Sequence, residues 1–136
     1  MKRFIDTNLF LRYFTNDDEI KARQVLHLLQ KVQRGEEQLI TSPLVIFETI
    51  FTLEKFYKVP KAEIRELMLP ILALKGLDVP FKQIYQPAFE LYIQHSISYT
   101  DAFNVAFMLD KDIKEIYSYD KDFDKIKEIK RIFPVL

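Results

Sequence analysis

Four acidic residues, Asp6, Glu48, Asp101 and Asp120, stand where a fold alone has little use for a charge. Asp6 follows the apolar pair Phe4 and Ile5 in "KRFIDTNLF" (2–10), and Asp120 follows the apolar run that starts at Ile116. Glu48 is the only charge in "LVIFETIFTL" (44–53), with Leu44, Val45, Phe51 and Thr52 on its own helical face. A lone glutamate on such a helix is costly to bury unless it is paired or bound to a metal. Asp101 falls in the first turn of a helix, where the helix dipole favours an anion. Carboxylates held about 4 Å apart repel by roughly 4 kcal/mol at an effective dielectric constant of 20. Several such pairs oppose folding unless protons or a divalent cation offset them. An all-oxygen set without thiolate or imidazole suits Mg²⁺ or Mn²⁺, and the chain has no cysteine.

Each acid also has a purely structural explanation. Asp101 can serve as a helix-start acid and Asp120 as a turn residue. Asp6 can cap the following segment through the Asn8 and Leu9 amides. Glu48 can pair with a neighbouring lysine. What distinguishes the set is the expected convergence on one side of an α/β sheet, with two acids at strand ends and two in first or second helix turns. In an open parallel sheet, ligands gather at the carboxyl ends of strands, so Asp6 and Asp120 are expected to share one crevice.

The elements that must position these residues follow from local chemistry. A first strand is expected over 2–5. Asn16 or Asp17 is expected to cap a helix in which Ala22, Val25, Leu26, Leu29 and Val32 recur at helical spacing, with Gly35 just past its end. Residues 39–41 read as a strand, and Ser42-Pro43 starts a helix that reaches Phe56 or Tyr57. A third helix follows Pro60, with Ile64, Leu67, Met68, Ile71 and Leu72 on one side, and Pro70 is expected to kink or split it. Residues 77–80 form a short strand candidate, and 82–95 a helix interrupted by Pro87. Ser98 or Thr100 caps a helix from 101 to about 110. Then come a strand at 115–119, a helical turn in "KDFDKI" and an extended "RIFPVL". Strands alternating with helices predict an α/β fold, a sandwich around a small, mostly parallel sheet.

The 136 residues suffice for one domain, 1–136, with its own core. A hydrophobic fraction of 49% beside 29% charged residues is that of a folded protein rather than a disordered one. The 12 Phe and 7 Tyr exceed what a small core needs, so some are expected on a partner surface. The absence of cysteine excludes disulfides and thiolate metal sites and fits a reducing cytoplasm. No signal-peptide pattern and no membrane-spanning apolar run is present, so the expected location is cytoplasmic, without membrane contact. Formal charge is zero, with 20 basic and 20 acidic residues. Attraction to a nucleic acid must therefore come from a local patch or a bound metal.

At "FIDTNLFLRYF" (4–14), "TSPLVIFETIFTL" (41–53), "SYTDAFNVAFM" (98–108) and "IYSYDKDFDKI" (116–126), the chain closely resembles the PIN-domain ribonucleases, especially the VapC-type toxins. The four pieces occur in the family's order from end to end, and residues 60–95 add little beyond length. The resemblance implies the PIN fold, a Rossmann-like three-layer sandwich, and a metal-dependent endoribonuclease. Carried over position by position, Asp6, Glu48, Asp101 and Asp120 are the catalytic and metal-binding acids, with Asp122 an additional ligand ranked below Asp120. Asn8 and Ser118 match polar positions that hydrogen-bond and orient the carboxylates. One or two Mg²⁺ or Mn²⁺ ions are implied, and so are an RNA substrate, a homodimer and a small antitoxin protein. Leu44, Phe47, Phe51 and Phe56 are candidate partner contacts that can equally be core.

Weaker readings attach to Arg12, one or two helical turns after Asp6, which can approach an RNA phosphate or remain a solvated helix residue. Tyr99 can stack a base or sit in the core. The run "KIKEIKR" (125–131) reads as a solvated face. Metal-free cleavage through the ribose 2′-hydroxyl calls for well-placed histidines, and neither His27 nor His95 lies near a motif. A haloacid-dehalogenase mechanism needs a second Asp two residues after the first, where this chain has Asn8. The remaining alternative is a catalytically inactive RNA- or protein-binding PIN domain, which predicts a damaged acidic set.

Overall fold

Parallel strands cannot be joined by a tight turn, so each must be followed by a crossover of a dozen or more residues. The computed structural model, which describes residues 1–136, satisfies this rule in two units, Met1–Lys82 and Gln83–Leu136.

The first unit contains β1 (Lys2–Phe4), α1 (Thr7–Thr15), α2 (Glu19–Gln33), β2 (Gln38–Ile40), α3 (Pro43–Lys55), α4 (Lys61–Leu72) and β3 (Leu77–Asp78). The strands form a parallel sheet in the order β1-β2-β3, with Arg3 opposite Leu39 and Leu39 opposite Leu77. Hydrogen bonding continues past the strand ends. The Ile5 amide donates to the Ile40 carbonyl at 3.0 Å, and the buried Thr41 hydroxyl donates to the Ile5 carbonyl at 2.7 Å. Those two bonds fix the backbone immediately before Asp6. Ile5, Phe10, Val25, Leu29, Val32, Leu39, Val45, Ile71 and Leu77 form the core of this unit.

The helix starts are set by caps. The Ser42 hydroxyl accepts from the Val45 amide at 3.3 Å and Pro43 occupies the first helical position, as expected. The expected cap of α2 is corrected. Asn16 instead ends α1 in the left-handed conformation (φ 56), its amide bonded to the Arg12 carbonyl, and Asp18 caps α2 by accepting from the Lys21 amide. A nine-residue α1 needs a left-handed terminator, a role Asn fills well, and this shifts the next start by two residues. Ala22, Val25, Leu29 and Val32 of α2 are buried, whereas Leu26 is exposed. Pro70 does not split α4, which continues through it to Leu72; the proline forfeits a single ladder bond, to the carbonyl four residues earlier.

The second unit contains α5 (all but its first residue, Lys82–Gln94), α6 (Tyr99–Asp110), β4 (Glu115–Tyr117), a 3-10 helix (Lys121–Lys125) and β5 (Lys130–Ile132). α5 runs continuously through Pro87, correcting the expected interruption. Strands β4 and β5 pair in parallel, Ile116 opposite Arg131 and Tyr117 opposite Ile132. The core of this unit is aromatic. Tyr99 packs edge-on against Phe89 (4.6 Å between centroids) and Tyr92 (5.3 Å), and Tyr85 packs against Phe103.

Candidate active site

Asp101, Asp120 and Asp122 converge. Each offers a carboxylate oxygen, and these oxygens lie within 4.8 Å of one another. Local backbone chemistry brings them there. Ser98 caps α6, its hydroxyl accepting from the Asp101 amide at 3.1 Å, and the Asp101 carboxylate is in turn hydrogen-bonded by Ser98. Both bonds run through the Ser98 hydroxyl, which accepts from the Asp101 amide and bonds to its carboxylate, and so holds the acid at the helix start. Asp120 follows β4, and its amide donates to the Ser118 hydroxyl at 3.0 Å. One Asp120 carboxylate oxygen accepts from the Asp122 amide at 2.9 Å and so starts the 3-10 helix. The structural explanations of Asp101 as a helix-start acid and Asp120 as a turn residue are therefore both realised. They do not compete with a site, because the caps are what aim the carboxylates at each other.

The electrostatics match the geometry. The Asp101 carboxyl is raised above its ordinary range, first by burial, then by the negative charge of Asp120 and, more weakly, Asp122; the Ser98 bond opposes this. A raised carboxylate among carboxylates is the signature expected of a site that a cation completes. The donors are all oxygen, which fits Mg²⁺ or Mn²⁺. Asp122 is the most compromised of the three, since its carboxylate also pairs with Lys125 at 2.9 Å. Lys125 is itself anchored by donating to the Ser96 carbonyl at 2.7 Å.

The other expected site residues behave differently. Asp6 is exposed at the N-cap position of α1, with extended backbone (φ −99, ψ 167), yet its side chain makes no cap hydrogen bond. Capping therefore does not explain its presence. Glu48 is exposed, which corrects the expectation that it is a costly burial. The reason is that α3 buries Val45, Ile46, Thr49, Ile50 and Leu53, leaving Leu44, Glu48 and Phe51 on an opposite, solvent-facing side. The ion pair on this helix is made by Glu54 and Lys55, not by Glu48. Leu44, Phe51 and Phe56 are exposed rather than core, and Phe47 is half-buried.

Asn8 is exposed, and with Leu9, Arg12, Lys21 and Leu28 it lines a groove of about 450 Å³ between α1 and α2. Arg12 is committed to Asp17 at 3.0 Å, and Asp17 also accepts from Thr15 and Tyr57. Base stacking by Tyr99 is corrected. Its ring is buried among Phe89 and Tyr92, and its hydroxyl donates to the Tyr85 carbonyl at 3.1 Å. Sequence reasoning missed the lock between Arg131 and Asp124, two parallel bonds of 3.0 and 2.9 Å. Seven residues and a change of element separate the partners, so no helical or strand spacing signals it.

A model of the PIN domain family matches residues 3–129. The chain belongs to the PIN domain family. Its parallel strands and six helices are the α/β architecture that the motifs implied. Among curated relatives, this PIN domain is similar to a VapC ribonuclease of Aquifex aeolicus, 24% identical over 124 residues that cover 91% of each chain. Among solved structures it is similar to VapC20 of Mycobacterium tuberculosis, described as a toxin that cleaves the sarcin-ricin loop. The identity there is 18%, covering 90% of this chain and 93% of that one, with a TM-score of 0.35. No helix is long and apolar enough to cross a membrane.

Proposed function

We propose that this PIN domain is a divalent-metal-dependent endoribonuclease, the toxin of a toxin–antitoxin pair, working as a homodimer in the cytoplasm. The observation that carries the reading is the convergence of Asp101, Asp120 and Asp122 within 4.8 Å. The family membership and the similarity to a VapC ribonuclease support RNA as the substrate. The match runs through the boundary between Lys82 and Gln83, so we treat both units as one nuclease domain.

Asp101 and Asp120 would hold Mg²⁺ or Mn²⁺, and Asp122 would join them after releasing Lys125. When bound, the cation supplies Lewis acidity, which acidifies water and neutralises charge building on the phosphodiester. Asp6 and Glu48 are assigned to the same reaction by their motifs, and both are exposed carboxylates. Ser98 and Ser118 keep the acids in place through the bonds described above. Lys125 stands beside the cluster as a cation able to meet a phosphate oxygen. The exposed side chains of Leu44, Phe51 and Phe56 offer an apolar surface for the antitoxin or the second subunit.

The test is to incubate the purified protein with single-stranded and structured RNA, with Mg²⁺, Mn²⁺ or chelator, beside Asp120→Asn and Asp6→Asn. Cleavage that needs metal and is lost in both variants is expected. Equal cleavage by wild type and Asp120→Asn, or by wild type with and without chelator, would overturn the reading.

A further inference from the structure

The carboxyl ends of β4 and β5 carry two aromatic rings in addition to the acids. Tyr119 lies two residues past the end of β4 and directly before Asp120; Phe133 directly follows β5. Because the strands are parallel and in register, Tyr117 opposite Ile132, both rings emerge from the same end of the ladder. There they stack on each other, with centroids 5.6 Å apart and planes inclined by only 17°. Both are solvent-facing, Tyr119 at 76% exposure and Phe133 at 52%. Two large rings held parallel in water, rather than folded into the core, are a preformed flat surface.

The surface is also braced. The Arg131 guanidinium lies over the Phe133 ring at 4.9 Å. Arg131 is itself fixed by its two bonds to Asp124 and by a longer one, 3.4 Å, to the Ser118 carbonyl. Its side chain is largely shielded from solvent, at 12% exposure. A rigid support lowers the entropic cost of adding a further flat group to the stack. Lys121, exposed and directly after Asp120 in the chain, adds a positive charge at this end suited to a polyanion.

We infer that Tyr119 and Phe133 form a stacking platform that seats an unpaired nucleobase of RNA beside the Asp101–Asp120–Asp122 cluster. The inference rests on the nuclease reading for its substrate, and it assigns that substrate a form: single-stranded or looped RNA, in which a base face is free to stack. Bases within a duplex have no free face, so the platform discriminates by strandedness rather than by sequence. Tyr119 adjoins Asp120 in the chain, so a base on this platform carries its flanking phosphodiester toward the acids.

The test measures binding of a short labelled single-stranded RNA and of the same sequence as a duplex, by fluorescence anisotropy. Ca²⁺ replaces Mg²⁺, so that the acids are offset without relying on turnover. The expected result is that Tyr119→Ala and Phe133→Ala each weaken single-strand binding about 10-fold, that Tyr119→Phe binds as wild type, and that duplex binding is unchanged. The chain has no tryptophan, so Tyr119→Trp supplies a single reporter whose emission single-stranded RNA should quench and duplex should not. Unchanged single-strand binding by both alanine variants would overturn the platform, even if the protein cleaves RNA. Unchanged binding together with a smaller species in sedimentation of Tyr119→Ala would also overturn it and make the face a contact between copies of the chain. Loss of single-strand binding in the alanine variants of a protein that never cleaves RNA would leave the platform standing and retire the nuclease.

Discussion

The two units differ in where their acidic side chains gather. In Met1–Lys82 most acids are neutralised by ion pairs. Asp78 pairs with Lys2 at 2.7 Å, Glu37 with Arg3 at 2.9 Å, and Asp17 gathers Arg12, Tyr57 and Thr15. The carboxyls of Asp17 and Asp78 are accordingly held below their ordinary range, Asp17 mainly by its hydrogen bond from Arg12 and Asp78 mainly by that from Lys2. In Gln83–Leu136 Asp124 is paired with Arg131 in the same way. Asp101, Asp120 and Asp122, however, face one another with only Lys125 beside Asp122, and Asp101 is pushed up by burial and by its neighbours' charge. Paired charges are what a fold produces when only stability is at stake; concentrated like charge opposes stability and needs another reason. Asp6 and Glu48 stand apart from the pairing pattern of their own unit, exposed and without the structural roles first available to them.

The sharpest way to break this comparison is to neutralise acids on both sides of it. Asp101→Asn or Asp120→Asn should lower RNA cleavage by about 100-fold or more, the scale on which removal of an electrostatic catalytic group acts. Asp78→Asn should leave cleavage within about 2-fold, because a surface ion pair contributes little. Cleavage rates on one single-stranded RNA decide it.

A second prediction concerns cation binding. Mn²⁺ at about 100 times its dissociation constant should stabilise the folded protein by about 2.7 kcal/mol, raising its Tm by roughly 5–10 °C for a chain of this size. The shift should vanish in Asp120→Asn and persist in Asp78→Asn, as read by calorimetric melting.

The two serine caps provide a third, smaller contrast. Ser42→Ala and Ser98→Ala each remove one N-cap bond and should cost about 1 kcal/mol, a Tm decrease of roughly 3–4 °C. Only Ser98→Ala should also reduce cleavage, because only Ser98 holds a site acid.

The smallest effect is in the pH dependence, and its sign differs between units. A folded carboxyl raised above its unfolded value destabilises the protein increasingly as pH rises from the unfolded value to the folded one, and acidification back across that interval relieves the penalty. In metal-free protein Asp101→Asn should therefore stabilise at neutral pH by about 0.5 kcal/mol or less after solvent screening, with no gain in acid. Asp17, held low, contributes stability that is present above its unfolded value and lost as pH falls through its folded one. Asp17→Asn should thus destabilise at neutral pH and be silent at low pH. Urea titrations at two pH values separate the cases.

Much of this was legible in the sequence, for reasons that were local. Ser42-Pro43 announces a helix because a hydroxyl cap and a proline act on the next few amides only. Strand ends and helix starts led to the expectation that Asp6, Glu48, Asp101 and Asp120 converge, and Asp101 and Asp120 meet, together with Asp122. Tyr99 was not decidable, since a tyrosine suits a core and a binding face equally, and only its bond to the Tyr85 carbonyl chooses between them. Glu48 misled because α3 has apolar residues on two faces, and composition does not say which one the core takes. The Arg131–Asp124 lock and the Tyr119–Phe133 stack depend on the pairing of β4 with β5, a tertiary fact that no spacing encodes.

The central claim, that like charge is concentrated in the second unit to hold a cation, is tested most directly by calorimetric titration of the metal-free protein with Mn²⁺. The account predicts saturable binding to the wild type that is lost in Asp120→Asn and retained in Asp78→Asn. Binding that Asp120→Asn leaves unchanged, or no binding by the wild type at millimolar Mn²⁺, would contradict it.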